Sequence, residues 1–346
     1  MKMRSFGKLQ DGRTAGLYIL RNENGMEASL SDFGATLASL VVPGREGRLY
    51  DVVLGYGDAS GYEKGKHQIG GIVNRFSKRT EIDCYEKCLW EVKVPFTNVS
   101  SGDVIAQSGA KESMNDGGRS YVQDDVNGDS VSFVLSRPDE NLHLVVTYLL
   151  TNDNKLHIRY RAKGSDVSLI NLSNHSYFNL AGHESGNVFD QLCSVNADSF
   201  APFSEAKLPT GEIRDLSGTA LDLRAATVLG DGIKSDDPQI MAYGGYDHSY
   251  VLNGTGYRGV AYLGSLESDI EMRVYTDLPG MQLYTSNLIG LEPEEPAKDY
   301  AVYERYAAAC FETQFFPDSV SKKELTGEGL KKGEVIEACT TFAFDF

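Results

Sequence analysis

Apolar and polar residues alternate along most of the chain with a period of two, which is typical of half-buried β-strands. In the run Lys155–Ala162 every second residue is apolar, beginning at Leu156. The preceding run, Leu142–Tyr148, is rich in β-branched and aromatic residues, and the cluster Thr151–Asn154 between the two runs suits a tight turn. These segments predict an antiparallel hairpin.

Two further turn signals predict hairpins. Asn24-Gly25 lies between strand-like stretches, and this pair favours the positive backbone φ angles of a tight turn. The runs Arg273–Thr276 and Met281–Thr285 flank the turn sequence Asp277–Gly280 in the same way.

Helical patterns are few and short, the best being Ser60 to Lys64 and Tyr300 to Ala308. Strands do not alternate with helices of 10–15 residues, which disfavours a parallel α/β fold. No repeat, low-complexity tract or Pro/Ser-rich linker divides the chain. We therefore predict one all-β domain over residues 1–346, a large antiparallel β-sandwich.

Charge and composition narrow the class of function. Lys and Arg number 33 against 49 Asp and Glu, a formal charge of −16, which argues against nucleic-acid binding. No apolar run reaches the ~18 residues of a membrane span, and the first residues lack the apolar core of a secretory signal. The five scattered cysteines do not resemble a disulfide framework or a zinc site. The expected protein is cytoplasmic, with no membrane or nucleic-acid partner.

Two polar stretches carry candidate proton-transfer groups. His175 lies in Asn171–Leu180 among amides, hydroxyls and aromatic rings that can fix its orientation, although a structural histidine in a polar turn fits equally well. Glu312 lies in Glu312–Asp318 near phenylalanines, where burial would raise the pKa of its carboxyl toward the range of a general base. The alternative is an exposed glutamate at a strand end.

Two more stretches carry candidate ligand-binding groups. Asp247 in Gly245–Tyr250 can grip hydroxyl groups, or it can be an ordinary turn residue. Arg75 follows Asn74 and can bind hydroxyl or carbonyl oxygens, or it can form a surface salt bridge. No G-x-S-x-G elbow, P-loop or dinucleotide-binding glycine motif is present in the sequence. The remaining group types suit a neutral polyhydroxylated ligand.

Several segments together resemble the galactose mutarotase (aldose 1-epimerase) family. They are NLSNHSYFNL at 171–180, YDHSY at 246–250, PGMQLYTSN at 279–287 and ETQFFPDS at 312–319, with DFGATLASLVVP at 32–43 and DVVLG at 51–55. The resemblance runs from about residue 15 to about residue 320. It implies a β-supersandwich fold.

The resemblance also implies roles for individual residues. Glu312 stands where the family has its general base, which takes the proton from the C1 hydroxyl, and His175 stands where it has the general acid, which protonates the ring oxygen. Substrate-binding positions would be occupied by Arg75, Asn74, Asp247 and Gln282. Ring opening by such a pair requires no metal and no organic cofactor.

One segment departs from the family pattern. Where the family has a second histidine before a glycine pair, this chain has Asp116 before Gly117-Gly118, so we expect Asp116 to contribute to substrate binding there. Upstream of Asn74, Gly71 replaces an arginine of the family.

The implied activity is interconversion of the α and β anomers of an aldohexose such as galactose or glucose, by a monomer or homodimer. Two alternatives remain open from the residues. One is a glycoside hydrolase that pairs Glu312 with Asp247 or Asp318. The other is a non-catalytic sugar-binding protein of the same fold.

Overall fold

The structure is a computed structural model. The structure describes residues 1–74, 84–93, 127–137, 142–164, 170–202, 210–292, 295–316 and 335–346.

Strands dominate this part of the chain. The strands of the described residues are β1 Lys2–Lys8, β2 Thr14–Arg21, β3 Glu27–Ser31, β4 Thr36–Pro43, β5 Leu49–Asp51, β6 Ile72–Asn74, β7 Glu91–Lys93, β8 Gly128–Arg137, β9 Leu142–Thr151, β10 Lys155–Lys163, β11 Leu172–Asn174, β12 Leu192–Val195, β13 Ala197–Ala201, β14 Arg214–Asp215, β15 Thr227–Val228, β16 Asp247–Leu252, β17 Arg258–Gly264, β18 Glu271–Thr276, β19 Gly280–Tyr284, β20 Cys310–Gln314 and β21 Val335–Asp345. Three short helices accompany them: α1 Ala59–Lys64, α2 Leu229–Ile233 and α3 Pro238–Tyr243.

The strands form antiparallel sheets. An N-terminal sheet has the order β1-β2-β3-β4-β5, and a nine-stranded sheet has the order β15-β12-β17-β18-β21-β10-β9-β8-β7. A third sheet has the order β14-β13-β16-β19-β20, and β11 pairs with β6. The predicted all-β antiparallel class is confirmed.

The period-two pattern is borne out where it is clearest. In β10 the residues Leu156, Ile158, Tyr160 and Ala162 are buried and their neighbours along the strand are more exposed. β9 and β10 pair antiparallel around the turn at 152–154, so the predicted hairpin is confirmed. The hairpin at Asn24-Gly25 is also confirmed, since β2 pairs with β3.

One hydrophobic core joins the three larger sheets. It includes Leu30 from the N-terminal sheet, Tyr148 and Ile158 from the nine-stranded sheet, and Leu283 and Phe311 from the third sheet. Because side chains alternate between the faces of a strand, the residues of β19 and β20 that flank these core positions point to the other face. The third sheet therefore presents a second face, which carries the candidate site.

The hairpin predicted around Asp277–Gly280 is wrong. β18 pairs with β17 and β21 in the nine-stranded sheet, whereas β19 pairs with β16 and β20 in the third sheet. The turn crosses from one sheet to the other. Asp277 accepts a hydrogen bond from the backbone N–H of Cys339 at 3.0 Å, and Thr276 donates to the Cys339 carbonyl at 2.7 Å. These bonds hold the turn against β21.

One of the two helices is confirmed. α1 begins after Asp58, whose carboxylate accepts hydrogen bonds from the N–H groups of Ser60 and Gly61. The helix predicted from Tyr300 to Ala308 is wrong, because Tyr300 and Tyr306 have φ angles of 59° and 66° that no α-helix tolerates. Within the described residues, no helix combines the length and the apolar composition needed to cross a bilayer.

Asp32 is a buried carboxyl between β3 and β4 and is 8% exposed. It accepts a hydrogen bond from the Gly16 N–H at 2.8 Å and one from the Tyr18 hydroxyl at 3.4 Å. Burial outweighs these bonds and raises the pKa of Asp32 to about 6. The folded protein therefore holds this proton more tightly than the unfolded chain does, and it loses stability as the pH rises from about 4 to about 6.

We expect Asp32→Asn to stabilise the protein at pH 7.5 by on the order of 2–3 kcal/mol, because the amide keeps the acceptor oxygen and carries no buried charge. The gain should shrink toward pH 4, where the folded protein keeps Asp32 protonated and holds no buried charge. Urea unfolding at pH 4, 5, 6 and 7.5 measures this difference, with the exposed Asp236→Asn as the control. A difference that stays constant across this range contradicts the assignment.

Candidate active site

Glu312 lies at the centre of β20, and all five residues of this strand are buried. Its side chain is 1% exposed. Alternation turns Phe311 and Thr313 toward the opposite face, where Phe311 joins the hydrophobic core. The predicted burial of this carboxylate is thus present, and the alternative of an exposed strand-end glutamate is wrong.

A row of polar side chains crosses the third sheet at the level of Glu312. Glu312 on β20 is opposite Gln282 on β19, and Gln282 is opposite Ser249 on β16. The Ser249 hydroxyl donates to Gln282 Oε1, and Gln282 Nε2 donates to Asp247 Oδ1 at 2.7 Å. The amide of Gln282 is therefore oriented from both ends.

His175 reaches this row from a separate segment. The segment continues β11, which pairs with β6, and the His175 N–H donates to the Gly71 carbonyl at 3.0 Å while the Gly70 N–H donates to the His175 carbonyl at 2.8 Å. Asn174 adds a side-chain bond from Nδ2 to the Gly70 carbonyl at 2.9 Å. The backbone of His175 is thus held on the pair Gly70-Gly71.

The His175 imidazole and the Glu312 carboxylate meet across the site. His175 Nδ1 lies 3.5 Å from Glu312 Oε1, and the two side chains are 7% and 1% exposed. The ring of Tyr177 stacks on His175 at 4.8 Å between centroids, and Tyr284 approaches its edge at 6.1 Å. The Tyr177 hydroxyl donates to the His67 carbonyl at 2.9 Å, which fixes the stacked ring.

The arrangement combines an acceptor and a donor of protons in one water-poor site. A carboxylate is a base and an imidazole can donate a proton, and both lie within reach of one small molecule. Burial raises the pKa of the Tyr284 phenol above its usual value, with Glu312 and Asp247 adding to the effect, so this tyrosine stays protonated at neutral pH. Asp247, Gln282 and Ser249 offer hydroxyl-binding groups beside the pair.

The other predicted residues fall into three groups. Asp247 and Gln282 lie in the site, as described above. Asn74 is 2% exposed, and its Oδ1 accepts the N–H of Asn171 at 2.8 Å, so at least this oxygen is engaged within the protein. Arg75 and Asp116 lie outside the described residues, as does Asp318.

His248, the neighbour of Asp247, has a structural position. It lies on the opposite face of β16, it is fully buried, and its Nδ1 accepts the Asp247 N–H at 3.0 Å. Burial lowers its pKa to about 4, so it is neutral at physiological pH.

Sequence reasoning missed Ser249, Tyr177, Tyr284 and Asn171. All four lie inside stretches that the sequence singled out, but a serine, tyrosine or asparagine there carries no signal of its own. Tyr284 lies two residues after Gln282 on β19, and the alternation of a strand places it on the same face. Cross-strand register, which brings Ser249 to Gln282, cannot be seen from local sequence.

In the part of the chain that the structure describes, no group of three or more His, Cys, Asp or Glu side chains is arranged to hold a metal ion.

Comparison with known proteins gives a consistent result. The family model described as Aldose 1-epimerase matches residues 16–343. Galactose mutarotase of Bos taurus is 32% identical over 330 residues, covering 92% of this chain and 91% of the bovine protein. Aldose 1-epimerase of Escherichia coli K12 is 30% identical over 344 residues, covering 96% of each chain.

The crystal structure of galactose 1-epimerase from Lactobacillus acidophilus superimposes with a TM-score of 0.77 at 23% identity, covering 99% of this chain and 98% of that one. This likeness concerns the fold, and it confirms the β-supersandwich that the sequence resemblance implied.

Proposed function

The chain belongs to the aldose 1-epimerase family and is therefore an isomerase of sugar anomers, and we propose that Glu312 and His175 are its catalytic base and acid. The substrate class is an aldohexose such as galactose or glucose. The observation that supports these roles is the buried contact between the two side chains, with His175 Nδ1 3.5 Å from Glu312 Oε1.

The reaction explains why the two groups must be close. In the cyclic sugar the C1 hydroxyl and the ring oxygen are bonded to the same carbon. Glu312 removes the hydroxyl proton while His175 protonates the ring oxygen, so the bond from C1 to the ring oxygen breaks and an open-chain aldehyde forms. Rotation about the C1–C2 bond and closure on the other face, with the proton transfers reversed, give the other anomer.

The substrate-binding groups surround this pair. We propose that Asp247 and Gln282 hold sugar hydroxyls, because they lie on the same face of the sheet as Glu312 and their mutual hydrogen bond at 2.7 Å prearranges them. Tyr177 holds the His175 ring in a fixed plane. Arg75, Asn74 and Asp116 remain predicted contributors to binding.

The glycoside hydrolase alternative is not favoured. Asp247 lies on β16, two strands from β20, and it is two residues along that strand from Ser249, which is level with Glu312. The backbones of Asp247 and Glu312 are therefore about 12 Å apart. Among the described residues, the ionic side chain that lies against Glu312 is the His175 imidazole, and the family model that matches the chain is that of aldose 1-epimerases. The non-catalytic alternative predicts the same pocket without turnover, and the first experiment below separates it from an enzyme.

The proposal also covers domain organisation, oligomeric state and location. We propose that residues 1–346 act as one domain and work as a monomer or homodimer. We also propose a cytoplasmic location, which is consistent with the five cysteines being free thiols, as is usual in a reducing compartment.

Polarimetry on freshly dissolved α-galactose and α-glucose should show faster approach to anomeric equilibrium with the protein than without it. The rate above the spontaneous one should rise linearly with protein concentration, because each protein molecule catalyses the reaction independently and needs no second substrate. A rate equal to the spontaneous one for every aldose tried would reject the enzymatic reading in favour of a binding protein.

Glu312→Gln should lower kcat by about 10²- to 10⁴-fold, because the amide preserves shape and hydrogen bonding but cannot accept the C1 hydroxyl proton. Sugar binding, measured by calorimetry, should weaken far less. The matched control is Glu267→Gln at an exposed position, which should retain wild-type kcat. Retention of more than half of the wild-type kcat in Glu312→Gln removes this residue from the mechanism.

His175→Asn should reduce kcat more than it changes KM, because a proton donor acts mainly as negative charge develops on the ring oxygen. His157→Asn serves as the control, since His157 lies on β10 and contacts Thr341 Oγ1 at 2.9 Å, away from the site. A raised KM with unchanged kcat would make His175 a binding residue only.

A further inference from the structure

Two attachments fix the His175 segment against the Glu312 strand, one on each side of the candidate pair. On one side, Phe178 and Ala309 exchange both backbone hydrogen bonds, each at 2.9 Å. On the other side, the side chain of Asn171 takes the place of a strand partner. Its Nδ2 donates to the Phe315 carbonyl at 2.7 Å, and its Oδ1 accepts the Phe315 N–H at 2.9 Å.

The attachments bracket the candidate pair symmetrically. Glu312 is three residues from Ala309 and three from Phe315, and His175 is three residues before Phe178 and four after Asn171. Between the two attachments, the backbone of His175 bonds to Gly70 and Gly71. The position of the His175 imidazole relative to the Glu312 carboxylate therefore depends on the two attachments, Phe178 to Ala309 and Asn171 to Phe315.

Asn171 is itself held in place. It is 1% exposed, and its backbone N–H donates to Asn74 Oδ1 at 2.8 Å. An amide that donates and accepts with one backbone unit is a two-point contact, which restricts sliding as well as separation. No single hydrogen bond imposes both restrictions.

We propose that Asn171 is a positioning residue, which fixes the register of the His175 segment against β20 and thereby the separation between the His175 imidazole and the Glu312 carboxylate. The role depends on the proposed functions of His175 and Glu312, and Asn171 itself does not touch the reacting atoms. Asn74 in turn holds Asn171 by accepting its backbone N–H. This also assigns to Asn74 a task within the protein beside its predicted part in substrate binding.

The test compares Asn171→Ala and Asn171→Asp with wild type. Alanine removes both contacts, whereas aspartate has the same shape, keeps the acceptor for the Phe315 N–H and loses the donor to the Phe315 carbonyl. We expect kcat of the alanine variant to fall about 10- to 100-fold with KM changed less than about threefold, because small displacements of catalytic groups cost rate more than binding. In the aspartate variant an ionised carboxylate would also repel the Phe315 carbonyl oxygen, so its kcat should fall at least as far as that of the alanine variant.

Asn22→Ala is the matched control for loss of stability. Asn22 also bonds the backbone from both ends of its amide, accepting the Met26 N–H at 2.9 Å and donating to the Thr151 carbonyl at 3.0 Å, but it lies in the β2–β3 hairpin. It should lower the melting temperature without lowering kcat measured well below that temperature. If the Asn171 variants behave in the same way, Asn171 is only structural and the proposal is wrong.

Hydrogen exchange gives a readout that does not depend on activity. In Asn171→Ala the Phe315 amide should exchange at least tenfold faster, while the Ala309 amide, which bonds to Phe178, should keep its wild-type rate. Unchanged exchange at the Phe315 amide would show that Asn171 does not hold this part of the backbone. Faster exchange with unaltered kcat would show that the contact does not affect catalysis, and the proposal would be wrong in either case. A raised KM at constant kcat also overturns it. Failure of the wild type to interconvert anomers would refute the proposed function. The exchange result would then still test whether Asn171 holds the Phe315 backbone.

Discussion

The site depends on the burial of one carboxylate. Glu312 is 1% exposed in the middle of a strand whose five residues are all buried, and an ionised group in such a place costs free energy unless polar groups surround it. The structure meets this requirement with His175 at 3.5 Å and with the polar row through Gln282 and Ser249. The groups that would stabilise a charge on Glu312 are also those proposed to contact the sugar, so on this proposal stability and function depend on the same side chains.

The strand architecture explains how such a set can be assembled. One face of β16, β19 and β20 contributes Tyr250, Leu283 and Phe311 to the hydrophobic core, and alternation then leaves Ser249, Gln282 and Glu312 on the other face. The core thus fixes where the polar row lies. His175 is not part of this sheet and reaches the row from outside it. It comes from the segment after β11, which the backbone of Gly70 and Gly71 supports.

Local sequence contained much of this information. The period of two predicted β10 and its buried face, and the β9–β10 hairpin followed from its turn residues. Local sequence did not reveal which strands share a sheet, because β21, the second partner of β18, and both partners of β19 are distant from them in the chain. The turn at 277–279 looks like a hairpin turn, yet its bonds to Cys339 on β21 make it a crossing between sheets. Likewise, Glu312 and His175 were recognisable as chemical groups, whereas their contact required the folded chain.

The residues that sequence reasoning missed share a physical character. Asn171 and Ser249 act on other side chains or on backbone, and their types are common in turns and strands, so composition gives no reason to select them. Their importance follows from geometry, since Ser249 orients the Gln282 amide and Asn171 bonds to the Phe315 backbone. The proposed catalytic pair, Glu312 and His175, lies on two separate segments, so its geometry depends on the contacts between those segments. Within the described residues, those contacts include the backbone exchange between Phe178 and Ala309 on one side and the Asn171 side chain on the Phe315 backbone on the other.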